Sequence, residues 1–448
     1  MRSFLTYFKT LRNNILFDIN TYSDFTTISI LYLALCSLFV IVHPFKRYLG
    51  DTDITLVDTR LFIFIVVLLC TITFFYCLTH TLVTLKSYKR GILIAIICNI
   101  IFLFIWPLTS KDIFTYIFQS RIITQFGQNP YIVHYSSFSS DIFFPIINNR
   151  AALETSQYGP LFLLIGTLLS KIANNTLVLN VYLFKALFVS ANIANIFLIQ
   201  KITNNYKSAL LYALNPFLLF EFAINGHNDV LMIFFCLLSL YYVSQKTNTK
   251  NVILAFSILA LSSTMKVFTV LLIPLYLVYF IRISITLREK IRTLFISLAS
   301  YLLFFVIPYV YFWAGPTIFL QFKNTLTFVS IFASPFVTIL YVVYRNLGVD
   351  NYHLVGKITS QVIFILLYLL TNIHLLRTKD ARFEMLLKHI VIVFIAFFFF
   401  WFNWLMPWYL TILITTFILY MGYTNDFSRS RFLWILTIIS ILPYLILR

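Results

Sequence analysis

Residues 61 to 85 and 91 to 110 contain no Asp, Glu, Lys or Arg. Each stretch is long enough to cross a hydrocarbon core of about 30 Å as a helix. Inside lipid a backbone must satisfy its own hydrogen bonds, which limits spanning segments to helices and closed barrels. Comparable apolar runs recur from about residue 26 to the C-terminus. A barrel needs short alternating segments instead. The expectation is therefore an all-α, polytopic integral membrane protein with about 12–14 transmembrane helices. Composition agrees: 60% of residues are hydrophobic and 11% charged, against about 25% charged in an average globular chain.

The net charge of +18 raises nucleic acid as a partner. The basic residues lie between apolar runs, however, as they do in cytoplasmic loops of membrane proteins. Nucleic acid is set aside on that ground, and lipid is the expected surroundings. Arg2, Lys9 and Arg12 precede the first run, 26 to 43, so the N-terminus is expected inside. Lys86, Lys89 and Arg90 then mark an inner turn, and so do the basic residues of 282–292 and 377–388. That orientation puts three segments outside: 110–160, 225–229 and 402–409. Residues 313–356, broken by Gly315, Pro316, Pro335 and Gly348, form a second external or re-entrant region. The runs 158–173 and 178–200 do not fit the alternation as two full crossings, so one of them is expected to be short, tilted or re-entrant. No solenoid-length repeat or low-complexity linker divides the chain, and residues 1–448 read as a single domain. The five cysteines, at 36, 70, 77, 98 and 236, all fall in apolar runs and read as packing residues. The first 25 residues are polar and mixed, and do not read as a cleavable signal peptide.

Residues 110–160 form the longest polar interval and carry Lys111, Asp112, Arg121, Asp141, Arg150 and Glu154. Only 15 carboxylates exist in the chain, and an ionisable group at a membrane edge is costly unless paired or functional. Asp112 follows an apolar run directly and precedes the aromatic stretch IFTYIF. A partly dry setting raises a carboxylate's basicity, which suits a general base. The alternative is a helix cap, with Ser110 or Asp112 capping an interfacial helix over about 113–125. The cluster Asn225, Gly226, His227, Asn228 and Asp229 sits between two apolar runs. It reads either as a cap on the helix that starts near Val230 or as the lining of a polar cavity. Lys266, with no carboxylate near it in sequence, either snorkels to the interface or binds an anion. Trp404, Trp408 and Tyr409 read either as an aromatic belt or as a platform for a sugar ring. No glycine-rich phosphate loop appears, and no His/Cys/Asp cluster has metal-ligand spacing, although carboxylates from distant loops could still meet around a divalent metal.

The order SKDIFTY, QNPY, SQYGP, NPFLLFEFAINGHNDVLM, MKVF and MPWY, over about residues 105–410, resembles the polyprenol-phosphate-mannose-dependent mannosyltransferases of the GT-C superfamily, of the bacterial α-mannosyltransferase type. The resemblance implies a GT-C membrane fold whose first large external loop, here 110–160, is catalytic and carries interfacial helices. It implies Asp112 as the catalytic base and Lys266 as the partner of the donor phosphate. The substrate-binding candidates it suggests are Tyr116, Arg121, Asn129, Tyr131, Tyr158, Asn225, His227, Asn228, Asp229, Lys266, Trp404, Trp408 and Tyr409. In this chain the Asp loop follows a third apolar run, where the basic GT-C plan has it after the first; two extra N-terminal helices would account for that.

The implied reaction is hexose transfer, most simply of mannose, from a polyprenyl-phosphate sugar to a glycan or glycolipid acceptor on the external face of a bacterial cytoplasmic membrane. Asp112 takes the acceptor proton, and Lys266 or Arg121 stabilises the leaving phosphate. One displacement inverts the anomeric centre, unlike double displacement through a covalent sugar. No cofactor is implied. The rival is a transporter or lipid-linked glycan flippase, which would place ionisable residues at mid-membrane on broken helices in repeated halves.

Overall fold

The computed structural model describes residues 85–147, 155–319, 333–378, 382–402 and 404–446. The apolar run 26–43, most of 61–85 and the proposed extra N-terminal helices fall outside these residues, as do Arg150 and Glu154. Every regular element among the described residues is helical. Four helices are long and apolar enough to cross a membrane: Leu177–Thr203, Leu287–Val310, Tyr352–Arg377 and Phe383–Phe400. A fifth candidate is a pair, Tyr206–Ala213 and Pro216–Asn225, bent by 48°. The all-helical membrane class stands on these elements.

In chain order the helices are α1 (Leu85–Leu103), α2 (Asp112–Phe126), α3 (Pro160–Ala173), α4 (Leu177–Thr203), α5 (Tyr206–Ala213) and α6 (Pro216–Leu219). They continue with α7 (Asp229–Ser244), α8 (Thr249–Met265), α9 (Leu272–Ile283), α10 (Leu287–Val310), α11 (Pro335–Asn346) and α12 (Tyr352–Arg377). The last are α13 (Phe383–Phe400), α14 (Thr411–Thr424), α15 (Ser430–Ile441) and α16 (Pro443–Ile446).

Helix α4 packs against α1, α3, α5, α7 and α14. Helix α8 joins α7 to α10, and α12 lies against α9, α11 and α13. Residues Thr411 to Gly422 of α14 are all buried. Helices α10 and α12 instead turn Phe295, Leu302, Val306, Leu366 and Leu370 outward, which is the surface expected of helices that face lipid. The parity difficulty at 158–200 has a local cause. Helix α3 has 14 residues, and at 1.5 Å per residue it reaches only about 21 Å. It is the short member of the pair.

Local chemistry sets the starts and stops near the polar stretch. Helix α2 ends at Gly127, whose φ of 62° is left-handed. The Gly127 amide donates to the Ile123 carbonyl and the Gln128 amide to the Ile122 carbonyl, closing the helix with a left-handed glycine cap. Asn215 accepts from the Phe217 and Leu218 amides with Pro216 at the first helical position, so the NPF triplet is itself a helix start. Residues Phe220–Asn225 then widen into a π turn closed by left-handed Gly226. Such turns bulge the backbone and expose otherwise aligned side chains to new partners.

Candidate active site

Asp112 is the first residue of α2, and Lys111 holds the cap position without a side-chain cap bond. The capping alternative for Asp112 is therefore not what the structure builds. The approach to Asp112 is pinned instead. The Asn225 side-chain oxygen accepts from the Leu108 and Thr109 amides at 3.3 and 3.1 Å. Its Nδ2 donates to the Thr109 hydroxyl at 2.8 Å and to Glu221 at 3.1 Å. The Ser110 hydroxyl accepts from the Asp112 amide at 3.2 Å. Beneath this turn, fully buried Lys185 donates to the Phe102 and Ile105 carbonyls at the end of α1, where a cation favours the helix dipole.

Three carboxylates converge here, and they differ in access. The Glu221 and Asp229 side chains are buried, whereas Asp112 keeps 30% of its side chain exposed. Glu221 accepts from Asn225 and from the Tyr444 hydroxyl. Asp229 takes Lys266 Nζ on both oxygens at 2.7 Å. His227, fully buried, lies between the other two: Nδ1 is 3.6 Å from Asp112 Oδ2 and Nε2 is 3.3 Å from Glu221 Oε2. Its ring stacks on Trp408 at 4.0 Å with 17° between the planes.

Aromatic side chains wall the site. The Tyr116 hydroxyl donates to Asn228 Oδ1 at 3.4 Å, and its ring meets the edge of Tyr158 at 4.8 Å. Burial first, and then the neighbouring Asp112 carboxylate, hold both phenols well above their ordinary pKa. Each remains a neutral O–H group. Tyr409 is raised by burial and then by Asp229 and Asp112, and Lys266 Nζ lies 4.6 Å from its ring centre. Gly159 allows the SQYGP segment to close on this wall. A Cβ at Gly159 would sit 1.9 Å from the Thr264 carbonyl oxygen, just before Lys266.

The structure thus gathers Asp112, Tyr116, Tyr158, Asn225, His227, Asn228, Asp229, Lys266, Trp408 and Tyr409. It redirects several of the sequence assignments. Arg121 is buried and clamped: Nε and Nη2 donate to the two oxygens of Asp141 at 3.1 and 2.6 Å, and Nη1 donates to Asn175 at 2.8 Å. A guanidinium so engaged is a loop clamp, not a partner for a leaving phosphate. Asn129 and Tyr131 are staples. The Asn129 side chain donates to the Phe312 carbonyl at 2.7 Å, and the Tyr131 hydroxyl donates to the Tyr158 carbonyl at 2.6 Å. The Tyr131 bond and the 2.7 Å bond from the Ser156 amide to the Pro130 carbonyl join QNPY to SQYGP, while Asn129 ties QNPY to the segment after α10. Lys266 neither snorkels nor stands alone, because folding supplies Asp229 from 37 residues away. Trp408 presents a face to His227, so that face is closed to a sugar. Trp404 is half-buried nearby in sequence, on the turn before Trp408.

Sequence reading passed over Glu221, Tyr444 and Lys185. Glu221 and Lys185 did carry a signal, since each is a charge inside an apolar run. Tyr444 gave none, being one of 28 tyrosines. Among the described residues no group of three or more His, Cys, Asp or Glu side chains is arranged to hold a metal.

The family model described as alpha-(1->6)-mannopyranosyltransferase, N-terminal domain, matches residues 28–282, more than half of the chain and all of the site except Trp404, Trp408, Tyr409 and Tyr444. The chain belongs to this family. As a member of the alpha-(1->6)-mannopyranosyltransferase family it falls among the membrane glycosyltransferases. The transporter reading falls away on this match, and the GT-C resemblance carried by the motifs agrees with it. No curated protein matches the chain in sequence. Among solved structures, the Archaeoglobus fulgidus oligosaccharyltransferase, crystallised in complex with zinc and sulfate, is similar with a TM-score of 0.43 at 13% identity. The similarity covers 80% of this chain and 52% of that one, so the chain spans about half the length of that protein.

Proposed function

We propose that this mannosyltransferase moves mannose from a polyprenyl-phosphate carrier to a glycan or glycolipid hydroxyl, with Asp112 as general base. The observation that carries the reading is the difference in access among the three converging carboxylates. Glu221 and Asp229 are buried and already hydrogen-bonded, whereas Asp112 is open and its carboxylate accepts no hydrogen bond among the described residues. A base must reach the proton it removes, and of the three only Asp112 can meet an incoming hydroxyl.

In the proposed step the acceptor O–H bond breaks and its proton passes to Asp112. The acceptor oxygen bonds to the anomeric carbon, and the bond from that carbon to the phosphate oxygen breaks. The electron pair leaves with the lipid phosphate. One displacement predicts inversion. Lys266, 15% exposed beside the Tyr409 ring, is the cation that a phosphate reaching the site would meet. A phosphate there would share Nζ with Asp229. Asn228 Nδ2, buried with no partner among the described residues, supplies a donor for a sugar hydroxyl. Under this reading the site faces the exterior of a bacterial cytoplasmic membrane, where a lipid carrier can enter laterally between apolar helices.

Two experiments test the reading. Purified enzyme in nanodiscs is offered radiolabelled polyprenyl-phosphate mannose and, separately, GDP-mannose, each with oligomannoside acceptors. Transfer from the lipid donor alone is expected; transfer from the nucleotide sugar without a lipid intermediate would overturn the donor assignment. For sidedness, single cysteines replace Ser137 or Thr286 after the native cysteines are removed. Labelling in intact spheroplasts should reach position 137 and spare 286, and equal labelling of both would refute the external site.

A further inference from the structure

His227 occupies an unusual position for a fully buried histidine. Its two ring nitrogens face two carboxylates, Asp112 at 3.6 Å and Glu221 at 3.3 Å, and neither nitrogen has a partner of hydrogen-bonding geometry. Trp408 covers one ring face. A packing histidine normally satisfies at least one nitrogen, because a buried polar atom left unpaired costs about 1–3 kcal/mol. Separations slightly beyond hydrogen-bond length are common in free active sites and close when substrate binds.

Small movements along the row Asp112–His227–Glu221 would satisfy both ring nitrogens, Nδ1 with Asp112 and Nε2 with Glu221. Glu221 is in turn fixed by Tyr444 and Asn225, and Trp408 holds the ring from one face. The other charged groups packed nearby are engaged elsewhere: Asp229 with Lys266, and Lys185 with the end of α1.

We propose that His227 is a positioning residue for glycosyl transfer, anchored by Glu221 and Trp408, whose Nδ1 edge aims the Asp112 carboxylate before the acceptor arrives. This rests on the reading of Asp112 as the base.

The test compares wild type, His227→Ala and His227→Gln with polyprenyl-phosphate mannose, alongside thermal unfolding of each. His227→Ala should lower kcat by about 10²-fold, the scale expected when a reacting group is misplaced by about 1 Å, with donor and acceptor KM within about threefold. His227→Gln restores a donor and should recover part of kcat with KM unchanged. A folded His227→Ala enzyme with kcat within threefold of wild type would overturn the proposal. So would a loss carried by KM instead of kcat, or no recovery in His227→Gln. If the alanine variant does not fold, the same reading is taken from His227→Gln. A second readout needs no donor: in nitrogen NMR of ¹⁵N-histidine enzyme, Asp112→Asn should shift the His227 Nδ1 resonance, and an unmoved resonance would overturn the pairing even if lipid-linked mannose proves not to be the donor.

Discussion

Arg121–Asp141 and Asp112–His227 lie in or beside the same polar stretch, yet they are built in opposite ways. Arg121 meets Asp141 through two short bonds, adds a third to Asn175, and covers the Phe143 ring at 4.3 Å. Both side chains are almost fully buried. All three guanidinium nitrogens are engaged within the protein. Asp112 is open, the His227 ring stands 3.6 Å away, and both of that ring's nitrogens are unsatisfied among the described residues. Charge that is buried and fully paired fixes a loop. Charge that is accessible and loosely held beside unsatisfied polar atoms is available for chemistry.

The strongest challenge to this contrast is removal of the open charge. Asp112→Asn should lower transfer by about 10⁴-fold, ~5.5 kcal/mol of transition-state stabilisation, while the unfolding temperature stays at the wild-type value. Near-normal product from the purified variant would remove Asp112 as the base. The closed pair should behave in reverse. Arg121→Ala leaves Asp141 buried and uncompensated, and should destabilise the protein by about 3–5 kcal/mol. Arg121→Met with Asp141→Leu should recover much of that loss, with activity per folded molecule retained. A stable double variant lacking activity would mean that the clamp has a chemical role as well.

Lys266 lies between these extremes, paired but partly open. Lys266→Ala should raise donor KM more than acceptor KM, on the order of 2–4 kcal/mol in donor affinity. Part of any stability loss should come from unpaired Asp229. Adding Asp229→Asn therefore restores stability without restoring donor affinity, and an equal rescue of both would make the pair purely structural. The smallest effect belongs to the staples. Tyr131→Phe removes one bond to the Tyr158 carbonyl and should cost about 1 kcal/mol of stability, read by denaturation in detergent. A change in kcat larger than that accounts for would move Tyr131 from staple to site.

The sequence by itself determined the class of molecule and the location of its polar chemistry. Uncharged runs of spanning length leave a chain little choice but membrane helices, and that information is local. The same holds for the polar GHND turn, because turn chemistry acts within a few residues. Asp112 was also legible, as a rare carboxylate at the edge of an apolar run. Only the tertiary structure decided which charges are free. Arg121 and Lys266 look alike as isolated cations in sequence, but Asp141 is 20 residues from one and Asp229 is 37 from the other. The role of Glu221 depends on Tyr444, 223 positions later. Gly159 matters because the Thr264 carbonyl from a distant helix end presses on it. Ion pairing, burial and close approach are set by which helices fold against which, and no local pattern encodes that.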